Sequence, residues 1–183
     1  MDPTFLIGLT GALILVAGAA YPERHVTHPA KSLKNWLFAI GGLCMLVYST
    51  LNYIAGGPIF FIFLQALVNV ASIFMMLNVP DTIDTPLIGL TGLGMIAWSL
   101  YLFEGYITVF FIIGLSGIGM GYAMEGGTFR RDAALTLGSA LIALFSYLTA
   151  SWIFFWLNIF FAIFSGYYAW RLWSKMSAKM HYA

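Results

Sequence analysis

Charge is what this chain of 183 residues has least of. Only 8% of it is charged, against ~25% in ordinary soluble domains, while 61% is hydrophobic and the mean hydropathy is +0.90. A single soluble domain is therefore excluded, and lipid must be the solvent for most of the chain. The net charge of +1 and the dispersed Lys and Arg residues leave no basic stripe, so a nucleic-acid partner is not expected. Cysteine is equally scarce: Cys44, inside an apolar run, has no second thiol to pair with and reads as core. The acids Asp2, Glu23, Asp81, Asp84, Glu104, Glu125 and Asp132 all fall in loops or at the ends of apolar runs. Proton-driven pumps and voltage sensors use titratable groups inside the membrane, and none is expected here. The histidines, His25, His28 and His181, also lie outside the apolar runs, which excludes haem ligation between helices. Lysine is absent between Trp152 and Trp173, which excludes a retinal Schiff base there. His25-Val26-Thr27-His28 reads as a solvated loop, so no metal and no cofactor are expected.

What the sequence has is long uncharged runs. They cover Phe5 to Tyr21, Trp36 to Ile54, Pro58 to Asn78, Pro86 to Phe103, Tyr106 to Met124, Ala133 to Ala150 and Trp152 to Trp173, with Pro and Gly between them. Continuous apolar runs of this length predict membrane-spanning helices, because open strands would leave backbone groups unpaired in hydrocarbon. No basic region precedes the first run, which reads as a retained span. Pro80 and Pro86 read as bracketing a loop. Lys and Arg follow the first, fifth and seventh spans, all on one side, so the N-terminus is expected outside and the C-terminus in the cytoplasm.

The chain also repeats itself. Ile7-Gly8-Leu9-Thr10-Gly11 returns as Ile88-Gly89-Leu90-Thr91-Gly92 and, with Ser for Thr, as Ile113-Gly114-Leu115-Ser116-Gly117; Pro58-Ile59-Phe60-Phe61 is echoed by Trp152-Ile153-Phe154-Phe155. An odd-numbered match preserves direction, so two parallel three-helix units joined by helix 4 are predicted. Ser116 has no histidine on helices 6 or 7 to activate it, so small residues for close helix approach are the expected use of that stretch. The polar groups left inside the spans are amides: Gln65 and Asn69, one turn apart, and Asn158. Gln65 and Asn158 fall at nearly equivalent places in the two units. They read as candidate hydrogen-bond partners for a polar solute, or else as bonds between helices. Tyr48 and Trp156 are candidates to stack on a ligand ring, with core use as the alternative.

Asn35-Trp36-Leu37, Leu64-Gln65, and Leu157-Asn158-Ile159-Phe160-Phe161 running to Gly166-Tyr167-Tyr168-Ala169-Trp170 resemble segments of PnuC-type transporters, within the SWEET, SemiSWEET and PnuC group. Asn69 and Asn158 also resemble the paired helix-3 and helix-7 asparagines of SWEET-type sugar carriers. The resemblance implies an all-α polytopic membrane protein with seven transmembrane helices in a 3+1+3 parallel-repeat arrangement. Residues 1–80 would form the first bundle, 81–105 the linker helix, 106–175 the second bundle and 176–183 a cytoplasmic tail. It further implies a non-enzymatic facilitator of a small neutral polar solute, a sugar or a ribosylated vitamin such as nicotinamide riboside. Taken with the residue reading above, Gln65, Asn69, Asn158, Tyr48 and Trp156 are the expected binding residues, and a bacterial or archaeal plasma membrane is the expected location. A homo-oligomer is compatible with this expectation, and the alternative is a non-transporting structural or assembly subunit of a membrane complex.

Overall fold

A computed structural model describes residues 2–21, 28–77, 79–125 and 127–180. These residues form a single 3₁₀ turn, Pro29–Lys31, and seven α-helices. The helices are α1 (Pro3–Ala20), α2 (Leu33–Ile54), α3 (Phe60–Leu77), α4 (Asp81–Tyr101), α5 (Tyr106–Ala123), α6 (Phe129–Leu148) and α7 (Trp152–Met180). Local chemistry sets several ends. Asp2, Ser32 and Thr128 cap α1, α2 and α6, each side chain accepting from a backbone N–H in the first turn. α2 closes through left-handed Gly56 (φ 93°), with Gly57 N–H bonded to Asn52 C=O at 2.8 Å. α6 ends in the same way around Ala150 (φ 53°), with Ser151 N–H on Ser146 C=O at 2.8 Å.

Six of the helices are long and apolar enough to cross a membrane; α6 is the exception among the expected spans, because its first turn holds Arg130, Arg131 and Asp132. Two helix boundaries differ from expectation. Pro86 lies within α4, which starts at Asp81 rather than after a bracketed loop. A proline this close to the N-terminus forfeits only one bond of the helix. α7 continues past residue 176, where the tail was expected to begin, as far as Met180. The same continuation puts Lys175 on α7, beyond the apolar stretch, at the basic end of the bundle.

Helices adjacent in sequence are adjacent in space: α1 with α2, α2 with α3, α5 with α6, and α6 with α7 make the most extensive contacts. α7 returns to α1, α3 touches α5, and α4 lies mainly on α5. Glycine makes two of these contacts close. A Cβ added at Gly41 would stand 2.9 Å from Leu15 N and 3.1 Å from Gly11 O; one added at Gly138 would stand 2.7 Å from Ile118 N and 2.8 Å from Gly114 O. One crossing thus occurs twice, α1 on α2 and α5 on α6, with Gly11 matching Gly114 and Leu15 matching Ile118. The pentapeptides pair Gly8 with Gly114 instead, so the spatial register is one helical turn away from the textual one. The third copy does not share this contact, since nothing stands within 4 Å of a Cβ at Gly89 or Gly92.

Candidate functional site

α2 and α6 begin, and α7 ends, at the basic end of the bundle. There a cavity of about 640 Å³ opens between the two helix triplets. Its lining follows the register set by the glycine crossings. Lys34, Asn35 and Phe38 on α2 are answered by Arg131, Asp132 and Leu135 on α6, with the same spacing as Gly41 and Gly138. Ala19 on α1 is answered by Tyr122 on α5, with the spacing of Gly11 and Gly114. Ser72 and Met75 on α3 are answered by Ser165 and Tyr168 on α7.

Two of these groups are anchored locally. Asn35 Nδ2 donates to Pro29 C=O at 3.1 Å and Trp36 Nε1 to Ala30 C=O at 2.9 Å, so the Asn-Trp pair clamps the 3₁₀ turn against the start of α2. Ser72 Oγ donates to Val68 C=O at 2.8 Å, one turn back on its own helix. The Lys34 ammonium lies 5.9 Å from the centroid of the Tyr168 ring. Arg131 also lines an adjoining cavity of about 470 Å³, with Asp84 and Glu125 in its wall, and its Nε is buried without a hydrogen-bond acceptor among the described residues.

The other end is closed by aromatic rings. Phe61 on α3 and Phe154 on α7 stack face to face, centroids 3.9 Å apart and planes 2° from parallel, both fully buried. Phe145 on α6 packs on Phe61, and Tyr48 on α2 packs on Phe154, each at 5.5 Å. Tyr48 matches Phe145 with the α2-to-α6 spacing already given, and Phe61 matches Phe154 with the spacing of Ser72 and Ser165. Phe60 and Phe111 widen the cluster, with centroids 5.1 Å apart.

Of the five residues singled out from sequence, none lines the cavity at the basic end. Gln65 and Asn158 occupy matching positions one turn inward from the stacked phenylalanines, and both are buried, at 2% and 5% exposure. The Oε1 of Gln65 is buried without a partner among the described residues, whereas Asn158 Nδ2 donates to Phe154 C=O at 2.8 Å. Asn69 Nδ2 donates to Gln65 C=O at 2.7 Å, and its amide rests against Gly42 of α2. Among the described residues each asparagine donates one turn back on its own helix, and neither bonds another helix. Tyr48 belongs to the aromatic closure. Trp156 stands 55% exposed on the outer face of α7, edge-on to Phe155, away from the other four.

Sequence reasoning missed Lys34, Arg131, Ser72, Ser165, Tyr122 and Tyr168. The signal for them was the spacing between the two glycine crossings, which lies one turn away from the pentapeptide match in α1 and α5. Ser116 Oγ donates to Ile112 C=O at 2.7 Å, while Gly114 and Gly117 beside it face Gly138. Of the histidine pair only His28 is among the described residues; His25 lies outside them. No group of three or more His, Cys, Asp and Glu that would hold a metal occurs among the described residues. Compared with known families, curated proteins and solved structures, the chain matches none.

Proposed function

We propose that this protein is a seven-helix membrane facilitator that moves a small polar solute by alternating access. The two units are α1–α3 and α5–α7, arranged as parallel repeats with α4 as linker and α6 as the seventh span. The observation that carries this reading is the matched placement of residues at the two ends of the bundle. Paired positions line a cavity at one end, and paired aromatic rings close the other end. Repeat units rocking about a shared site need equivalent gates on the two sides of that site. In the present conformation the basic end is open and the phenylalanine end shut. The positive-inside rule assigns the open end to the cytoplasm of a bacterial or archaeal cell.

Gln65 and Asn158 lie between the cavity and the closure, where a solute entering from either side has to pass. The unpartnered Gln65 Oε1 supplies an acceptor for a hydroxyl or amide donor. Sugars and ribosylated vitamins fit this chemistry, and kinship with the SWEET, SemiSWEET and PnuC group is part of the same proposal. No catalytic role is assigned to any residue. Uptake into proteoliposomes, screened over sugars, nucleosides and vitamins, tests the reading. Flux of the best solute should fall at least tenfold, roughly the value of one lost buried hydrogen bond, in Asn158→Ala. Undiminished flux in that variant overturns the site, and no flux of any solute overturns transport.

A second reading, a non-transporting subunit of a membrane complex, is favoured by α4 alone. Its Gly89, Gly92 and Gly94 leave an open surface on which another helix could sit closely. Stable isolation as a solitary protein counts against it.

A further inference from the structure

The cavity on which the transport reading rests carries a charge that an uncharged solute would not use. Lys34, Arg131, Arg171 and Lys175 line it, against Asp132 as the one carboxylate in the lining among the described residues. Arg171 and Lys175 are exposed at the mouth, where positive charge is ordinary for this side of a membrane. Arg131 is different. It lies in the first turn of α6, partly buried and shared between the two cavities, with its Nε donor enclosed and unmatched. Asp84 and Glu125 line the adjoining cavity, yet that Nε reaches no acceptor among the described residues.

A guanidinium cannot shed its proton, so Arg131, where it lines both cavities, offers fixed positive charge and N–H donors to an anionic acceptor. Lys34 occupies the matching position in the first turn of α2. Two helix N-termini therefore face one cavity, each with a cation, and both dipoles add to the positive potential. A volume of about 640 Å³ holds more than a bare ion, because pockets for small organic ligands span ~300–1,000 Å³. Phe38 and Tyr168 give it ring surfaces, and Ser165 and Asn35 add polar groups.

The geometry points to a phosphate-bearing ligand in this cavity, its phosphoryl oxygens held by Arg131 and Lys34. The phosphate belongs to a soluble organophosphate or to a phospholipid headgroup, and two probes separate these sources. Full-length protein, delipidated in dodecyl maltoside, is titrated with ribose 5-phosphate against ribose. It is titrated separately with dihexanoyl phosphatidylglycerol, below its micellar concentration, against dihexanoylglycerol. Melting temperature and calorimetric affinity are the readouts.

At least one phosphorylated probe should raise the melting temperature while its phosphate-free counterpart does not. Arg131→Gln and Lys34→Gln, on different helices, should each weaken binding roughly tenfold or more, the value of a charge-assisted bond. Arg131→Lys should keep part of the affinity. Arg130→Gln, outside the cavity lining, should keep all of it. A response to ribose 5-phosphate alone identifies a soluble ligand, and a response to the phosphatidylglycerol alone identifies a headgroup; either supports the site. No shift with either probe, an equal shift with the phosphate-free compounds, or full affinity in both Gln variants overturns it. Uptake of an uncharged solute by a protein indifferent to both phosphates removes this inference and leaves transport standing. Phosphate binding without flux of any solute does the reverse.

Discussion

Phe61 and Phe154 carry the closure that the proposed transport requires. In lipid, helices gain little from hiding apolar surface, so the face-to-face contact of these rings counts through van der Waals attraction and excluded space. Truncating one leaves a void bounded by Phe145 or Tyr48. Phe154→Ala is expected to lower stability by about 3 kcal/mol, read as a reduced melting temperature, and to make proteoliposomes leaky to the transported solute. A wild-type leak rate would contradict the role of the ring as closure. Gln65 makes the opposite prediction. Its Oε1 is buried without a partner, so Gln65→Met removes an unmet polar group at similar volume. Melting temperature should stay level or rise while solute flux falls; a loss of both would make Gln65 a structural residue. These amides were legible in the sequence because a polar group stands out in an apolar run. Trp156 was not placed correctly, since an aromatic ring on a lipid-exposed face and one in a core look alike in composition.

At the scale of elements, close approach is concentrated at a few glycines. Gly138→Ala sets a methyl group 2.7 Å from a backbone nitrogen of α5, which cannot swing aside as a side chain would. It is expected to cost about 2–3 kcal/mol, with Gly41→Ala similar through Leu15 N. Gly92→Ala meets nothing within 4 Å and should be neutral or stabilising by up to ~1 kcal/mol, from helix propensity alone. Equal effects of the Gly138 and Gly92 variants in thermal unfolding would refute the proposed crossing. Ala150 holds the left-handed position that closes α6 (φ 53°), and Ala150→Gly should add roughly 0.5–1 kcal/mol by relieving its Cβ. Helix positions were readable from apolar runs and from Pro and Gly punctuation. The starts of α4 and α6 were not, because polar first turns carry Asp81 and Asp84, or Arg130, Arg131 and Asp132, outside any hydropathy signal. The recurring pentapeptides were visible as text, but the register of the two glycine crossings was not. Short Gly-rich strings match at several offsets, while only the crossing at Gly11 and Gly114 selects one of them.

For the whole molecule, the basic residues gather at one end of the bundle and the stacked phenylalanine cluster at the other. Lys34, Arg131, Arg171 and Lys175 surround the open cavity, and the stacked phenylalanines close the far end. The sidedness of the charges could be read from the chain. The cavity could not, because it forms only when α2, α6 and α7 bring distant positions together. Lining residues should therefore be reachable by water from one face of the membrane alone. The most direct measurement is the side-resolved reaction of a membrane-impermeant maleimide with Ser165→Cys, in a Cys44→Ser background, in sealed vesicles of known orientation. An inward-open cavity behind an aromatic closure predicts rapid modification from the cytoplasmic face and none from the outer face. Equal modification from both faces, or modification from the outer face only, would contradict it.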